Sequence, residues 1–207
     1  MFKQTVASQN ETLKKENMLP RGSALITTSG KLAKSGIYAI INAATGSMTK
    51  SGSLFEPTKD SLTQSIINSF KLLDANSYNK IAVPYICGGI FKTRMGVTNE
   101  QLAKLIIDVC FKANPDASKF VLVMIDYHIY KIFETILIKD YPKIDTKAIL
   151  KQGSVTDFNI HKCNTIMNAS NMEVLFGDGL AGAIGSATGD KVTINNQALA
   201  EIKTFWK

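Results

Sequence analysis

Two glycine-bearing segments, each directly behind an apolar run, are where this chain could do chemistry. One reads IAVPYICGGIF, from Ile81 to Phe91; the other reads TIMNASNMEVLFGDGLAGAI, from Thr165 to Ile184. Glycine lets the backbone approach a ligand closely, and the free N–H groups of a helix start favour an anion. Gly177, Gly179 and Gly182 precede or open a helix, while Gly88 and Gly89 form a second tight turn. Two such loops facing each other could clamp a diphosphate from both sides. A glycine loop alone is also the mark of an ordinary turn. The run Asn168-Ala169-Ser170-Asn171 ahead of the longer loop adds weight, because amides at the end of a buried strand are costly unless they bind something or tie a loop.

The elements that must position these loops follow from periodicity. Short apolar runs at Ala24–Thr28, Ile37–Ile41, Lys80–Tyr85, Phe120–Ile125, Ala148–Leu150 and Asn164–Asn168 predict buried strands. Helical spacing of Leu62, Ile66, Phe70 and Leu73 predicts a helix over Ser61–Leu73. Thr98 with Gln101 three residues on is a capping-box signature for a second, ending near Asn114–Pro115. Asp126 is placed to cap a third, and Asn195 or Asn196 a last one running to the C-terminus. Strands interleaved with helices predict an α/β sheet covered on both faces, with its ligand outside the carboxyl ends of the strands. Residues 1–19 read as a polar extension with a short helix around Glu11 to Asn17.

Composition narrows the classes. With 207 residues, 45% of them hydrophobic, one domain can bury its own core. No run approaches the roughly 18–20 apolar residues of a membrane span, and the start, MFKQTVASQN, has no apolar run behind its lysine, so neither a span nor a cleaved signal peptide is expected. Cys87, Cys110 and Cys163 are odd in number and widely spaced, which argues against a disulfide framework or zinc site and for a reducing, cytoplasmic-type interior. Secretion as an effector is compatible with the same chain. His128 and His161 are too few and too separated for a histidine metal site. The net charge of +7 rests on lysines, Arg21 and Arg94 being the two arginines, so a polyanion partner such as RNA is a lesser expectation than a solvated lysine surface.

Residues 152–188, QGSVTDFNIHKCNTIMNASNMEVLFGDGLAGAIGSAT, resemble the opening third of a macrodomain, the ADP-ribose-binding family, with its G-D-I-T strand, N-A-A-N strand end, glycine loop and G-A-I helix. GSALITTSGKL resembles the family's strand before its Gly-x-x-Leu turn, IAVPYICGGIF its P-x-x-S-x-G-I-F/Y loop, and KFVLVMIDYHIYKIF its last strand and helix. Asn42-Ala43-Ala44 also resembles N-A-A-N, but no glycine loop and G-A-I helix follow it, so it reads as the family's middle strand and turn. The resemblance implies a three-layer α/β/α fold with a mixed central sheet, residues 20–140 matching the family's C-terminal part and 148–207 its N-terminal part. That order fits a circular permutant or incomplete pieces of two tandem domains. The pieces complement each other once, and Ile138–Lys147 is short enough to join the old termini, which favours permutation. A permutant requires the strands ending at Tyr85 and Asn168 to share one sheet and their loops to face one cleft.

Carried over, Asn171 matches the amide that holds the distal ribose and takes part in hydrolysis; the lesser alternative is an asparagine that closes a turn. Asn168 matches the asparagine that secures the loop. Gly177, Asp178, Gly179, Leu180, Ala181 and Gly182 match the first phosphate loop, and Cys87, Gly88, Gly89 and Ile90 the second. Phe91 matches the aromatic beside the distal ribose, and Val155 and Ile125 the apolar walls near the adenine. The G-D-I-T aspartate is Ser154 here, with Asp157 three residues on as a substitute. The aspartate of G-V-D-G-A-I in many cellular hydrolases is Ala181, although GDGLAGAI stands between the G-G-V-A-G-A-L of coronavirus macrodomains and the G-D-G-V of alphavirus ones, which are hydrolases. The resemblance implies a monomer without cofactor or metal. It would bind ADP-ribose or an ADP-ribosylated protein and remove the mono-ADP-ribosyl group as an ADP-ribosylhydrolase; alternatives are a non-catalytic reader of ADP-ribose or its polymer, or a nucleic-acid-binding relative.

Overall fold

The computed structural model describes residues 10–47 and 55–207, so residues 1–9 of the expected extension lie outside the described residues. Among the described residues, six strands form one sheet: β1 (Ser23–Thr28), β2 (Ala39–Gly46), β3 (Ile81–Pro84), β4 (Phe120–Met124), β5 (Leu150–Gln152) and β6 (Thr165–Asn171). Their order is β1-β2-β6-β3-β4-β5. β1 runs antiparallel to β2 and the other pairings are parallel. The last strand in sequence thus sits at the centre, between β2 and β3. The glycine-loop strands are neighbours, Ile81 pairing with Thr165 and Ala82 with Ile166.

Both faces of the sheet are apolar because successive side chains point opposite ways. Ile41, Val83, Leu122 and Met167 face one core cluster, and their neighbours Ile40, Ala82, Val121 and Ile166 face the other. The first face is covered by α1 (Lys59–Ala75), α3 (Asn99–Ala113) and α4 (Tyr127–Asp140), which bring in Leu62, Ile66, Ile106 and Phe133. The second is covered by a 3₁₀ turn at Gly30–Ser35, the short α6 (Phe158–His161), and α7 (Gly179–Thr188), contributing Leu32, Phe158 and Ile184. Burying each such side chain contributes about 1.5–3 kcal/mol. The result is the expected three-layer α/β/α fold with a mixed sheet.

Local capping sets where helices begin. The Thr98 capping box with Gln101 and the Asp126 cap, which accepts from the Ile129 amide, lie where the sequence puts them. α1 starts two residues before Ser61, since Thr58 is its cap. The last helix, α8 (Lys191–Phe205), starts earlier than Asn195: Gly189 ends α7 in a left-handed conformation and Asp190 accepts from the Thr193 amide. Of the predicted strand Ala148–Leu150, only Leu150 is extended, because Asp145 caps a helical turn, α5 (Thr146–Ile149), through the amides of Lys147 and Ala148. Asn42-Ala43-Ala44 lies inside β2 rather than at its turn, and β6 runs on to Asn171.

The extension is not wholly polar. Residues 10–15 are helical, and Leu13, Met18 and Leu19 are buried. Leu19 packs with Leu25, Val174, Ala198 and Ile202, and its amide donates to the Met172 carbonyl at 2.8 Å. The Trp206 indole donates to the Met18 carbonyl at 2.8 Å, tying this segment to the end of α8.

Candidate functional site

β3 ends at Pro84 and the chain turns through Tyr85–Gly89 into the short helix α2 (Ile90–Met95). Tyr85 lies beneath this turn, its ring edge-on to Phe133 at 5.9 Å and its hydroxyl 3.1 Å from Asn99 Oδ1. Any Cβ at Gly88 would run into the Tyr85 ring, so the glycine is a packing requirement here. Cys87 takes a left-handed φ of 60°, and its buried thiol lies 3.2 Å from Thr45 Oγ1. Burial pushes that thiol up to about 12. It is therefore held as the neutral thiol at neutral pH.

β6 ends at Asn171, and a turn leads to the N-terminus of α7. Asn171 Oδ1 accepts from the Leu175 amide at 3.0 Å, so the residue closes a turn; among the described residues its Nδ2 has no partner. Met172 and Val174 point into the core, and Val174 takes a positive φ of 54°, a strained conformation for a β-branched residue. Between them Glu173 faces out, its two carboxylate oxygens 2.9 and 2.8 Å from the Ser47 hydroxyl at the end of β2. Asp178 precedes α7 and makes no side-chain cap bond. The first helical amide with an intrahelical carbonyl is that of Gly182, donating to Asp178, so the amides of Gly179, Leu180 and Ala181 are unused within the helix. The dipole of α7 adds partial positive charge at the same place.

These two loops enclose adjoining cavities. The first, about 310 Å³, is largely apolar and is lined by Pro84, Tyr85, Gly88 and Gly89 of the β3 loop, Val123–Asp126 and Ile129, Gly153–Thr156, and Gly179, Leu180, Ala183 and Ile184. The second, about 610 Å³, is more polar and is lined by Ser47, Tyr85, Cys87, Gly89, Ile90, Phe91, Ala169, Asn171, Glu173, Leu175 and Gly177–Ala181. Tyr85, Gly89, Gly179 and Leu180 line both, so the two cavities meet where the glycine loops face each other. Among the described residues, no lysine or arginine lines either one. The described lysines and arginines thus lie outside the two cavities, and the groups offered to an anion here are backbone amides.

Thirteen of the sequence-predicted residues line this cleft: Asn171, Val155, Ile125, Gly177, Asp178, Gly179, Leu180, Ala181, Cys87, Gly88, Gly89, Ile90 and Phe91. Three do not. Asn168 is buried inside the sheet, donating to Asn42 Oδ1 at 2.9 Å across the β2–β6 pair, while Asn42 bonds Thr27 on β1. Gly182 lies behind the loop, where an added Cβ would sit 2.6 Å from the Gly177 carbonyl oxygen. Asp157 caps α6, accepting from the Asn159 amide, and is turned away from the apolar cavity. Sequence reasoning missed Glu173, Ser47, Tyr85, Asp126 and Thr156. Glu173 was within reach, two residues beyond Asn171 on the same loop; Ser47 comes from a distant strand and carried no signal.

His161, buried behind the cavity, ties the apolar wall at Val155 to Cys163. His161 Nδ1 accepts from the Cys163 amide at 3.0 Å, so Nε2 carries the proton and donates to the Val155 carbonyl at 3.0 Å. Burial lowers its pKa, outweighing the Val155 bond and the Asp157 charge. Among the described residues, no group of three or more His, Cys, Asp or Glu could hold a metal ion, and no helix is long and apolar enough to cross a membrane.

The family model described as Macro domain matches residues 3–102. No curated protein matches the chain.

Proposed function

We propose that this chain, a member of the macro domain family whose members bind ADP-ribose, uses the double cavity to hold ADP-ribose and to hydrolyse it from mono-ADP-ribosylated proteins. The observation that carries the reading is the meeting of an apolar cavity and a polar one at two facing glycine loops. The apolar cavity suits a purine, with Val155, Ile125 and Ile184 as walls; Asp126, whose Oδ2 has no partner among the described residues, is placed to accept from its amino group. The diphosphate lies at the junction, against the amides of Gly89, Gly179 and Leu180. The distal ribose enters the polar cavity, where Asn171 Nδ2 has a free donor and Phe91 supplies an apolar side. The target protein lies beyond, at the rim formed by the exposed Ile90 and Leu175.

The same reading takes the chain as a circular permutant. A single sheet in which β6 lies between β2 and β3 supports it, because fragments of two separate domains would not be expected to interleave this way.

Calorimetric titration with ADP-ribose, then release of label from proteins mono-ADP-ribosylated on acidic or arginine side chains, tests the function. Binding with release supports the hydrolase. Tight binding without release on every linkage refutes hydrolysis and leaves a reader. No binding refutes both.

A further inference from the structure

We infer that Glu173 is the base that activates the attacking water in this cleft, with Ser47 holding it in place; the inference rests on the hydrolase reading above. The polar cavity needs a group that can take a proton. α7 supplies none beyond its cap, because Ala181 stands at the lining position of its first turn and Cys87 is a thiol held protonated by burial. Among the described residues, Glu173 and Asp178 are the two carboxylates that line the cavity. Asp178 belongs to the phosphate loop at the start of α7, is exposed, and has no side-chain cap bond to fix it. Glu173 is half-buried, two residues from Asn171, and both of its oxygens lie within 2.9 Å of the Ser47 hydroxyl.

The turn aims this side chain. Met172 and Val174 on either side are 0% and 4% exposed, so Glu173 between them points away from the core. The left-handed φ of Val174 persists because Leu19, Leu25, Ala198 and Ile202 pack against it. Ser47 has one proton to share between two oxygens, which leaves carboxylate lone pairs free to accept from water.

The step balances without a further reagent. A water oxygen forms a bond to the anomeric carbon of the distal ribose as the bond from that carbon to the target side chain breaks. The bonding pair leaves with the side-chain atom, and the proton released by the water passes to Glu173. For an acyl-linked target the leaving carboxylate needs no proton donor.

The test uses the full chain and a protein mono-ADP-ribosylated on acidic side chains. Glu173→Gln should lower kcat at least about a hundredfold, within the range for a positioned base, while the Kd for ADP-ribose stays within about threefold. Glu173→Ala should behave alike and regain at least about tenfold in kcat with added formate, which replaces the missing carboxylate. Ser47→Ala should lower kcat about tenfold with KM little changed, as loss of positioning does. Glu173→Gln turnover near wild type, absence of formate rescue, or loss of ADP-ribose binding in both Glu173 variants would each overturn the inference while leaving the hydrolase reading standing. Wild-type protein that releases nothing overturns both.

Discussion

Gly182 gives the sharpest test of the phosphate loop, because it acts on the ligand without touching it. Substituting Gly182→Ala adds a Cβ that would lie 2.6 Å from the Gly177 carbonyl oxygen, about 0.8 Å inside the 3.4 Å at which ordinary contact begins. The obstacle is backbone, so the loop must yield by several tenths of an ångström. Gly177 and its neighbours Asp178 and Gly179 line the polar cavity, and a displacement of that size takes an amide from a normal distance of about 2.9 Å to beyond hydrogen-bond reach. Losing one amide bond to a charged phosphate oxygen costs about 1.5–3 kcal/mol, or roughly 10–150-fold in affinity. Overall stability moves less. Overpacking costs about 1–3 kcal/mol, and alanine returns about 1 kcal/mol of helix propensity inside α7. Calorimetry with ADP-ribose and a thermal melt separate the two quantities. A Gly182→Ala variant that binds ADP-ribose within threefold of wild type would show that the Gly177–Gly182 packing does not hold the diphosphate loop.

Three further outcomes are expected. Asn171→Ala should lower turnover on the order of a hundredfold and product affinity only a few fold, as the free amide acts on the distal ribose while the glycine loops still hold the diphosphate; equal losses in single-turnover rate and Kd would contradict this. Ala181→Asp places a carboxylate at a 9% exposed position of the polar cavity, where it can serve as a second proton acceptor, so label release should rise about tenfold with ADP-ribose affinity by calorimetry little changed; unchanged release would contradict this. His161 is favoured neutral in the folded protein, so its contribution is intact above its ordinary value of 6.5 and is lost as the pH falls below it, the unfolded chain binding the proton first. Urea melts between pH 7 and pH 5 should therefore show a shallower loss of stability in His161→Gln than in wild type; identical slopes would refute it.

Much of the cleft was legible in the chain because it is built from contiguous loops. Residues 85–91 and 171–181 each follow a strand directly, so glycine spacing and an asparagine run place them at the carboxyl end of the sheet. Alternating apolar pairs such as Ile40–Ile41 and Val121–Leu122 determined a sheet covered on both faces, and Thr98 and Asp126 declared their caps through local bonds. Tertiary structure decided the rest. Asn168 and Asn171 are the same residue type three positions apart, yet strand alternation and the β2 neighbour turn Asn168 into a cross-strand tie to Asn42 and leave Asn171 at the cavity. Asp157 and Asp126 each cap a helix through one oxygen, and the fold sets Asp126, not Asp157, in the wall of the apolar cavity. Leu13, Met18 and Leu19 look like a polar tail's occasional apolar residues until Trp206, almost two hundred residues away, closes over them. Glu173 meets Ser47 only because β2 and β6 pair side by side. Spacing along the chain reports bonds that close within a few residues, whereas partners supplied by neighbouring strands depend on register, which only the assembled sheet determines.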